Sequence, residues 1–308
     1  MLPFSCNTAQ VPCLGATGGS VLAAVEVPGS RRVDSGLAGG QKIQAVFASA
    51  RRLESLSDLK EQGIECVQLD VSKDESVEDA VQAVLRAAGR IDCVINNAGV
   101  SRIGPLVEQP LGEMRELFEA NLWGVLRVTQ AVVPSMIESR SGLVVMVGSV
   151  GSQLSSPFAG AYNASKAALL SLSDTLRLEV APYGIGVSYV MAGAIRSSIS
   201  DNASSNIELE RYQAQSSAYR PYIQGIKQRL GISQDSSSGT MSAEATAAQI
   251  GRVIEQYFQG GGSRAPPRWF LAGGKAWYFW TAGLLQKLFG WPTDGINLRK
   301  FGLDKPPQ

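Results

Sequence analysis

The hydrophobic positions of this chain fall either in short continuous runs or in longer stretches with helical spacing. Five short apolar runs have the length and β-branched content of buried strands. Because they are continuous rather than alternating, they predict strands covered on both faces, as in a parallel sheet. These runs are residues 43–50, 65–71, 91–99, 143–149 and 186–193.

Two stretches beside these runs predict long amphipathic helices. In residues 74–89 apolar side chains recur at helical spacing, and Gly89 is placed to end the helix. Residues 157–184 carry a similar apolar stripe, and Gly184 is placed to end it. Strands that alternate with helices indicate βαβ units, so we predict an α/β fold with a doubly wound parallel sheet in a single domain.

Two segments depart from this alternation. Residues 200–242 are polar and rich in serine, and we interpret them as a mobile flap followed by a loop. From about residue 262 the composition becomes aromatic. We therefore expect one domain over residues 1–261 and a C-terminal amphipathic extension over 262–308, with residues 1–42 atypical of the domain.

The extension contains a stretch, 268–291, in which large apolar side chains fall near one helical face. Lys275 and Lys287 flank this apolar face. Tryptophan with flanking lysine is typical of a helix that lies in a membrane interface, while packing on the domain or on a second subunit is the alternative. The apolar positions are Trp277, Trp280, Leu284, Leu288 and Trp291.

Composition narrows the function classes. The 28 basic and 27 acidic residues give a net charge of +1, which argues against a nucleic-acid partner. No stretch approaches the roughly 20 apolar residues of a membrane span, and no basic segment precedes Glu26 as in a secretory signal. Four cysteines without a CxxC pair, and no histidine, predict no metal site and a reducing intracellular compartment.

The absence of histidine leaves proton transfer near neutral pH to another group. On the helix predicted for 157–184, Tyr162 and Lys166 lie one turn apart on the same face. A neighbouring ammonium favours the phenolate and lowers the pKa of tyrosine from about 10. This pair could therefore exchange a proton, although a solvated tyrosine and lysine on a helix surface would look the same in sequence.

Three further features favour chemistry at this helix. Ser149 ends an apolar strand, at the edge where ligands bind in parallel sheets. Asn121 is polar within an apolar helical stretch and needs a partner. The third feature is "NNAG" at 96–99, which directly follows another strand. Together with "YNASK" at 162–166, these residues have the order and spacing of the motifs of the short-chain dehydrogenase/reductases. The chain resembles this family over roughly residues 43–200.

The resemblance implies a Rossmann-like oxidoreductase that acts on a carbonyl or an alcohol. It implies that Tyr162 is the general acid and that Lys166 lowers its pKa and holds the nicotinamide ribose. Ser149 would orient the carbonyl, and Asn121 would hold a water of the proton relay. A homodimer is among the assemblies that the resemblance implies.

The cofactor that the resemblance implies is NADP(H). Arg51 and Arg52 follow the 43–50 run, where an NAD-selective site would carry an acidic residue, and arginine accommodates a 2′-phosphate. Asp70 matches the position that contacts the adenine ring. The full set of cofactor residues expected from the resemblance is Gly15, Gly19, Arg51, Asp70, Asn96, Ala98, Gly99, Tyr162, Lys166, Ile195 and Ser197.

The phosphate loop departs from the family pattern. "LGATGGSV" (14–21) ends in Val21 where the family has a glycine, and Pro12 falls in the expected first strand. Pro28 and Gly29 interrupt the helix expected to follow. Two interpretations stay open, an altered loop that still cradles the pyrophosphate and an abnormal N-terminus from a mis-assembled first exon.

Residues 157–187 and 193–203, with "RKFGL" at 299–303, are similar to the branch of NADPH-dependent 1-acyldihydroxyacetone-phosphate reductases. The resemblance implies reduction of this lipid ketone to lysophosphatidic acid, at the endoplasmic reticulum or on lipid droplets, with the cytosol as alternative. A steroid, retinol or other hydrophobic carbonyl reductase and a non-catalytic lipid-surface binding protein are the rival functions. The substrate phosphate needs a basic partner, for which Arg196, Arg211 and Arg220 are candidates.

Overall fold

A computed structural model describes residues 21–25, 43–196, 209–232, 239–260, 265–289 and 292–305. Its strands are β1 (Val21–Val25), β2 (Ile43–Ala50), β3 (Glu65–Gln68), β4 (Cys93–Asn96), β5 (Gly142–Val147), β6 (Ile185–Ala192), β7 (Ile195–Arg196), β8 (Met241–Ser242) and β9 (Trp269–Ala272). Its α-helices are α1 (Ser57–Glu61), α2 (Asp74–Ala88), α3 (Leu111–Phe118), α4 (Gly124–Ser139), α5 (Gly160–Val180), α6 (Leu209–Gln213), α7 (Ile223–Gly231), α8 (Ala243–Gln259), α9 (Ala276–Phe289) and α10 (Pro292–Lys300).

Seven strands form one sheet in the order β3-β2-β1-β4-β5-β6-β9. All of them run in one direction except β1, which is antiparallel to both of its neighbours, β2 and β4. β7 and β8 form a separate parallel pair. The predicted α/β fold with a doubly wound parallel sheet is confirmed, with one reversed strand at its centre.

The central strand differs from the expected one. The sequence pattern predicted that Val21 ends a phosphate loop and that a helix follows it. In the structure Val21–Val25 is strand β1. An apolar run with valine at both ends suits the slot between β2 and β4. Val21 pairs with Ala48 and Ile95, so β1 begins at the carboxyl edge of the sheet. Pro12, Gly15 and Gly19 lie outside the described residues.

Helices cover both faces of the sheet, as the continuous apolar strands predict. One core cluster joins the sheet to α2, α4 and α5, and the other joins it to α1 and α8. In β5 the buried Val144 belongs to the first cluster and its neighbour Val145 to the second. This alternation within one strand is the two-residue period of a β-strand buried on both sides.

The two predicted long helices form close to the expected limits. Helix α2 ends at Gly89, which has φ 75° and caps the helix in the left-handed conformation. Helix α5 ends in a short 3₁₀ turn, after which Gly184 has φ 72°. Glycine adopts these φ values without strain, and both stop signals are therefore confirmed.

The interpretation of residues 200–242 as a flap and a loop is wrong for the described part of that segment. Residues 209–232 contain helices α6 and α7. Tyr212 and Ile226 are buried in a small core cluster with Phe158 and Phe301. Apolar side chains of this cluster hold the two helices on the domain, although the surrounding serines mask the pattern in the sequence.

The segment 262–308 contributes to the main sheet. Residues 269–272, which the sequence pattern placed in a helix, are strand β9, and this strand pairs in parallel with β6. The helix begins only at Ala276, after Gly273 and Gly274. Trp280 packs against Trp269 at 5.3 Å between ring centroids, with the rings tilted by 38°, so α9 is held against the sheet.

Candidate active site

The predicted site residues collect at the carboxyl edge of the sheet. Arg51 follows β2, Asp70 follows β3, Asn96 ends β4, Ser149 follows β5 and Ile195 follows β6. In open parallel sheets this edge is where ligands bind. Helix α5 begins beside it and brings in the last members of the predicted set, Tyr162 and Lys166.

The Tyr162 phenol lies against the loop that follows β5. The Ser149 side chain lines the same cavity as Tyr162, and its hydroxyl accepts a hydrogen bond from the Gly151 N–H at 3.0 Å. Burial raises the pKa of Tyr162, and the nearby Ser149 hydroxyl and the positive charge of Arg229 offset part of that rise. The phenol is therefore protonated at neutral pH and able to donate.

Lys166 is buried below Tyr162, with 4% of its surface exposed. Its Nζ atom donates to the Val147 carbonyl at 3.0 Å and lies 6.0 Å from the centroid of the Tyr162 ring. Burial lowers the pKa of this ammonium to about 8. A Cβ on Gly99 would lie 3.2 Å from Asn121 Oδ1 and 3.6 Å from Nζ, so the chain after β4 passes close to both side chains.

Asn121 lies in a π-helical turn, residues 119–123, between α3 and α4. Its Oδ1 accepts from the Val100 N–H at 2.7 Å, and its Nδ2 donates to the Val100 carbonyl and to Ser165 Oγ, each at 3.0 Å. The amide thus ties the loop after β4 to helix α5. Both of its N–H groups are used, so a water held here would bond to the remaining lone pair of Oδ1.

Asn96 is fully buried at the end of β4. Its Nδ2 donates to Thr129 Oγ1 of α4 at 3.0 Å, while Oδ1 has no hydrogen-bond partner among the described residues. Ala98, which follows, is also buried. The "NNAG" segment therefore lies largely buried, and its Gly99 is next to Lys166.

Arg51 and Asp70 are neighbours at the ends of β2 and β3. The Arg51 side chain is exposed. Partial burial raises the pKa of Asp70, but hydrogen bonds from Ser72 and the charges of Arg51 and Lys73 outweigh it, so this pKa is lowered. Ser72 Oγ donates to Asp70 Oδ1 at 2.6 Å. An ionised carboxylate is thus near an exposed guanidinium. A further predicted cofactor residue, Ser197, lies outside the described residues.

Tyr189 is a site residue that the sequence reasoning missed. It is fully buried in β6, its hydroxyl donates to the Lys166 carbonyl at 3.0 Å, and it accepts from the Ser149 N–H at 3.2 Å. A Cβ on Gly148 would overlap its ring. Tyr189 thus fixes Ser149 relative to α5. A phenol inside an apolar strand needs a polar partner, and that signal was available in the sequence.

A cavity of about 190 Å³ opens at Tyr162. The loop after β5 and helices α5, α7, α9 and α10 form its walls, and Phe279 of the C-terminal segment lines it. Arg229 also lines this cavity, whereas the three arginines suggested for a substrate phosphate do not. Of these, Arg211 is paired with Glu113 at 2.9 Å.

A family model described as short chain dehydrogenase matches residues 29–208, which is more than half of the chain. The chain belongs to the short-chain dehydrogenase family. The family resemblance of the sequence is therefore confirmed, while the "LGATGGSV" segment lies before the matched residues.

Two curated relatives show how far the family likeness extends. The NADPH-dependent 1-acyldihydroxyacetone phosphate reductase of Schizosaccharomyces pombe is 34% identical over 178 residues, 58% of this chain and 60% of that protein. Dehydrogenase/reductase SDR family member 7B of Xenopus laevis is 41% identical over 134 residues, 44% of this chain and 42% of that protein. The chain spans about half the length of the curated relatives it matches.

A solved structure supports the family assignment over most of the fold. The crystal structure of a short-chain dehydrogenase from Streptomyces avermitilis is 30% identical, with a TM-score of 0.63. The alignment covers 84% of this chain and 89% of that one. The short-chain dehydrogenase fold thus extends beyond residue 208 into the C-terminal part of the chain.

Proposed function

We propose that this short-chain dehydrogenase uses NADPH to reduce a lipid ketone, with 1-acyldihydroxyacetone phosphate as substrate and lysophosphatidic acid as product. The observation that carries the reaction type is the protonated Tyr162 phenol, which lines a cavity together with Ser149 and lies beside the buried Lys166. The substrate assignment is supported by the similarity to the relative from Schizosaccharomyces pombe.

In this proposal the substrate carbonyl oxygen lies between Ser149 and Tyr162. The Ser149 hydroxyl donates to the oxygen, and Tyr162 transfers its proton to it as the alcohol forms. The Lys166 ammonium stabilises the tyrosinate that is left. Asn121 and Tyr189 act as positioning residues, because their hydrogen bonds hold the loops on either side of α5.

The residues at the carboxyl edge fit a dinucleotide. Lys166 has N–H groups beyond the one that it donates to Val147, and these suit ribose hydroxyls. The close passage of the chain at Gly99 and the exposed Arg51 suit a nicotinamide ribose and a 2′-phosphate. When bound, NADPH supplies the hydride that reduces the carbonyl carbon. Ile195 and Ser197 remain proposed contacts of the carboxamide, and Gly15 and Gly19 of the pyrophosphate.

Replacing Arg51 by alanine is expected to weaken NADPH binding about 10- to 100-fold and to leave NADH binding unchanged, because only the 2′-phosphate uses this guanidinium. Fluorescence titration of the purified protein with each nucleotide measures both affinities. Arg86→Ala, which removes an exposed arginine from helix α2, serves as the matched control. Equal losses for NADPH and NADH would reject the 2′-phosphate contact.

The substrate assignment is tested by the oxidation of NADPH in the presence of defined ketones. Purified protein is assayed with 1-acyldihydroxyacetone phosphate and with a panel of steroid, retinal and aliphatic carbonyl compounds. The proposal predicts the highest kcat/KM for the acylated dihydroxyacetone phosphate. Preference for a steroid or a retinoid would replace it with the rival reductase function, and NADPH binding without turnover of any ketone would favour a non-catalytic role.

We further propose that helix α9 lies on a membrane or lipid-droplet surface, as at the endoplasmic reticulum. One side of α9 packs on the protein through Trp280 and Gly283, while its other side is exposed. No described helix combines the length and hydropathy of a membrane span. The exposed apolar positions are Trp277, Tyr278, Leu284, Leu285, Leu288 and Phe289. Because Phe279 lines the cavity, this placement would let a lipid enter from the membrane side.

Replacing Trp277 and Leu288 together by serine is expected to reduce binding to vesicles of phosphatidylcholine and phosphatidylinositol about tenfold or more, since both side chains are about two-thirds exposed on α9. Co-sedimentation with the vesicles measures the bound fraction. Leu178→Ser removes an equally exposed leucine from α5 and should have no effect. Unchanged sedimentation of the double variant would reject the membrane contact.

A further inference from the structure

The cavity beside Tyr162 is positively charged. Arg229 of α7 and Lys300 of α10 line it, and the described residues of its wall include no aspartate or glutamate. The other polar groups of the wall are hydroxyls, amides and backbone, among them Ser101, Ser156 and Asn297. A cavity with two cations and no carboxylate attracts an anionic ligand.

Arg229 differs from the other arginines near the site. Arg211 is paired with Glu113, and Arg127 bonds Asp74 and Glu119. In the described part of the chain, the buried Nε atom of Arg229 has no hydrogen-bond partner, and no ion pair includes this side chain. A buried charge without a partner is costly, and a ligand that carries the opposite charge removes that cost.

The position of Arg229 relates this charge to the reaction. Arg229 and Tyr162 line the same cavity and interact electrostatically, so the guanidinium faces the space where the carbonyl would react. Lys300 lines the cavity from helix α10 of the C-terminal segment. A ligand bound between the two cations would therefore hold its anionic group within the same cavity as its reacting carbonyl.

We propose that Arg229 binds the phosphate of the substrate and makes this enzyme specific for phosphorylated lipid ketones. The proposal rests on the function proposed above and adds the group that recognises the phosphate. The planar guanidinium can form two parallel hydrogen bonds with a phosphate, and Lys300 adds a second positive charge. The acyl chain would then extend past Phe279 toward the exposed face of α9.

A binding experiment tests the contact without any turnover. Calorimetric titration uses 1-hexanoylglycerol 3-phosphate and, separately, 1-hexanoylglycerol, neither of which has a ketone to reduce. The wild-type protein should bind the phosphorylated compound about 10- to 100-fold more tightly than the neutral one. Arg229→Met should abolish this difference, and Arg229→Lys should retain part of it. Lys227→Met, an exposed charge on the same helix, should behave like the wild type.

A kinetic experiment then separates recognition from catalysis. Hexanoyl-dihydroxyacetone phosphate and its dephosphorylated counterpart are reduced by the wild type and by Arg229→Met. The proposal predicts a loss of about 10- to 100-fold in kcat/KM for the phosphorylated ketone only. Equal losses for both ketones would overturn it, because they would mean that Arg229 acts on Tyr162 rather than on phosphate.

The failures of the two proposals are distinguishable. If the wild type reduces neither ketone but binds the phosphorylated ligand through Arg229, the function fails and the phosphate site stands. If the wild type reduces both ketones equally well and Arg229→Met binds both glycerol compounds like the wild type, the phosphate site fails and the reductase function stands.

Discussion

Tyr162→Phe is expected to lower kcat about 100- to 10,000-fold, the usual contribution of a general acid. The substitution removes only the hydroxyl, which shares the cavity with Ser149, and leaves the ring in place. Lys166 and Arg51, the proposed contacts of the nucleotide, are untouched. NADPH binding should therefore stay within about threefold of the wild type, whereas loss of a tyrosine that only shapes the cavity would leave turnover largely intact.

The measurement combines steady-state turnover with NADPH titration of the same preparation. Tyr183→Phe, which removes an exposed hydroxyl just beyond the end of α5, is the matched control and should keep full activity. A Tyr162→Phe variant with more than a tenth of the wild-type kcat would show that another group donates the proton. Loss of NADPH binding together with turnover would instead point to a general disturbance of the site.

The parts of the fold that could be predicted are those that local sequence encodes. The continuous run at 43–50 forms β2 over the same residues, and the stop signals at Gly89 and Gly184 are both used. The spacing of Tyr162 and Lys166 on one helix, with Ser149 at a strand end, predicted that these side chains lie close together, as they do in the structure. These features depend on short-range periodicity and on the geometry of parallel sheets.

The strands that were missed depend on distant partners. The run "WFLA" at 269–272 continues the aromatic pattern of the following helix, and only pairing with β6 makes it a strand. Two glycines after it were the available signal, since they interrupt the helical stretch. Strand β1 likewise depends on its pairing with β2 and β4, which are distant in sequence. Its five apolar residues do not encode its reversed direction.

The cavity-lining Arg229 was missed because its position also depends on distant parts of the chain. Arg229 comes from a serine-rich region without a clear pattern, and it reaches the cavity only because α7 docks through Ile226 onto Phe158 and Phe301. Arg211, a candidate from the same region, is neutralised by Glu113, which is 98 residues away in sequence. Charge alone could not distinguish these two arginines, because their partners are set by tertiary packing.

Lys166→Met is expected to abolish turnover and yet to stabilise the protein at pH 7. The folded chain lowers the pKa of Lys166 from 10.5 to about 8, which corresponds to roughly 3 kcal/mol of unfavourable free energy for the buried charge. Methionine fills a similar volume without that charge. The loss of the hydrogen bond to Val147 takes back about 1 kcal/mol, so a net gain of about 1–3 kcal/mol is expected.

The pH dependence of this gain identifies its cause. Between pH 8 and 10.5 the unfolded chain holds a proton on Lys166 that the folded chain has released, so the free energy of unfolding of the wild type rises with pH in that window. The stability advantage of Lys166→Met over the wild type should therefore shrink from pH 7 to pH 10.

Urea unfolding of both proteins at pH 7, 8.5 and 10, without nucleotide, measures this difference in the free energy of unfolding. The exposed Lys227→Met is the control. A variant that is less stable at pH 7, with a difference that does not change with pH, would show that Lys166 carries no buried charge. The charge that the proposed reaction needs beside Tyr162 is thus expected to be one that lowers the stability of the fold.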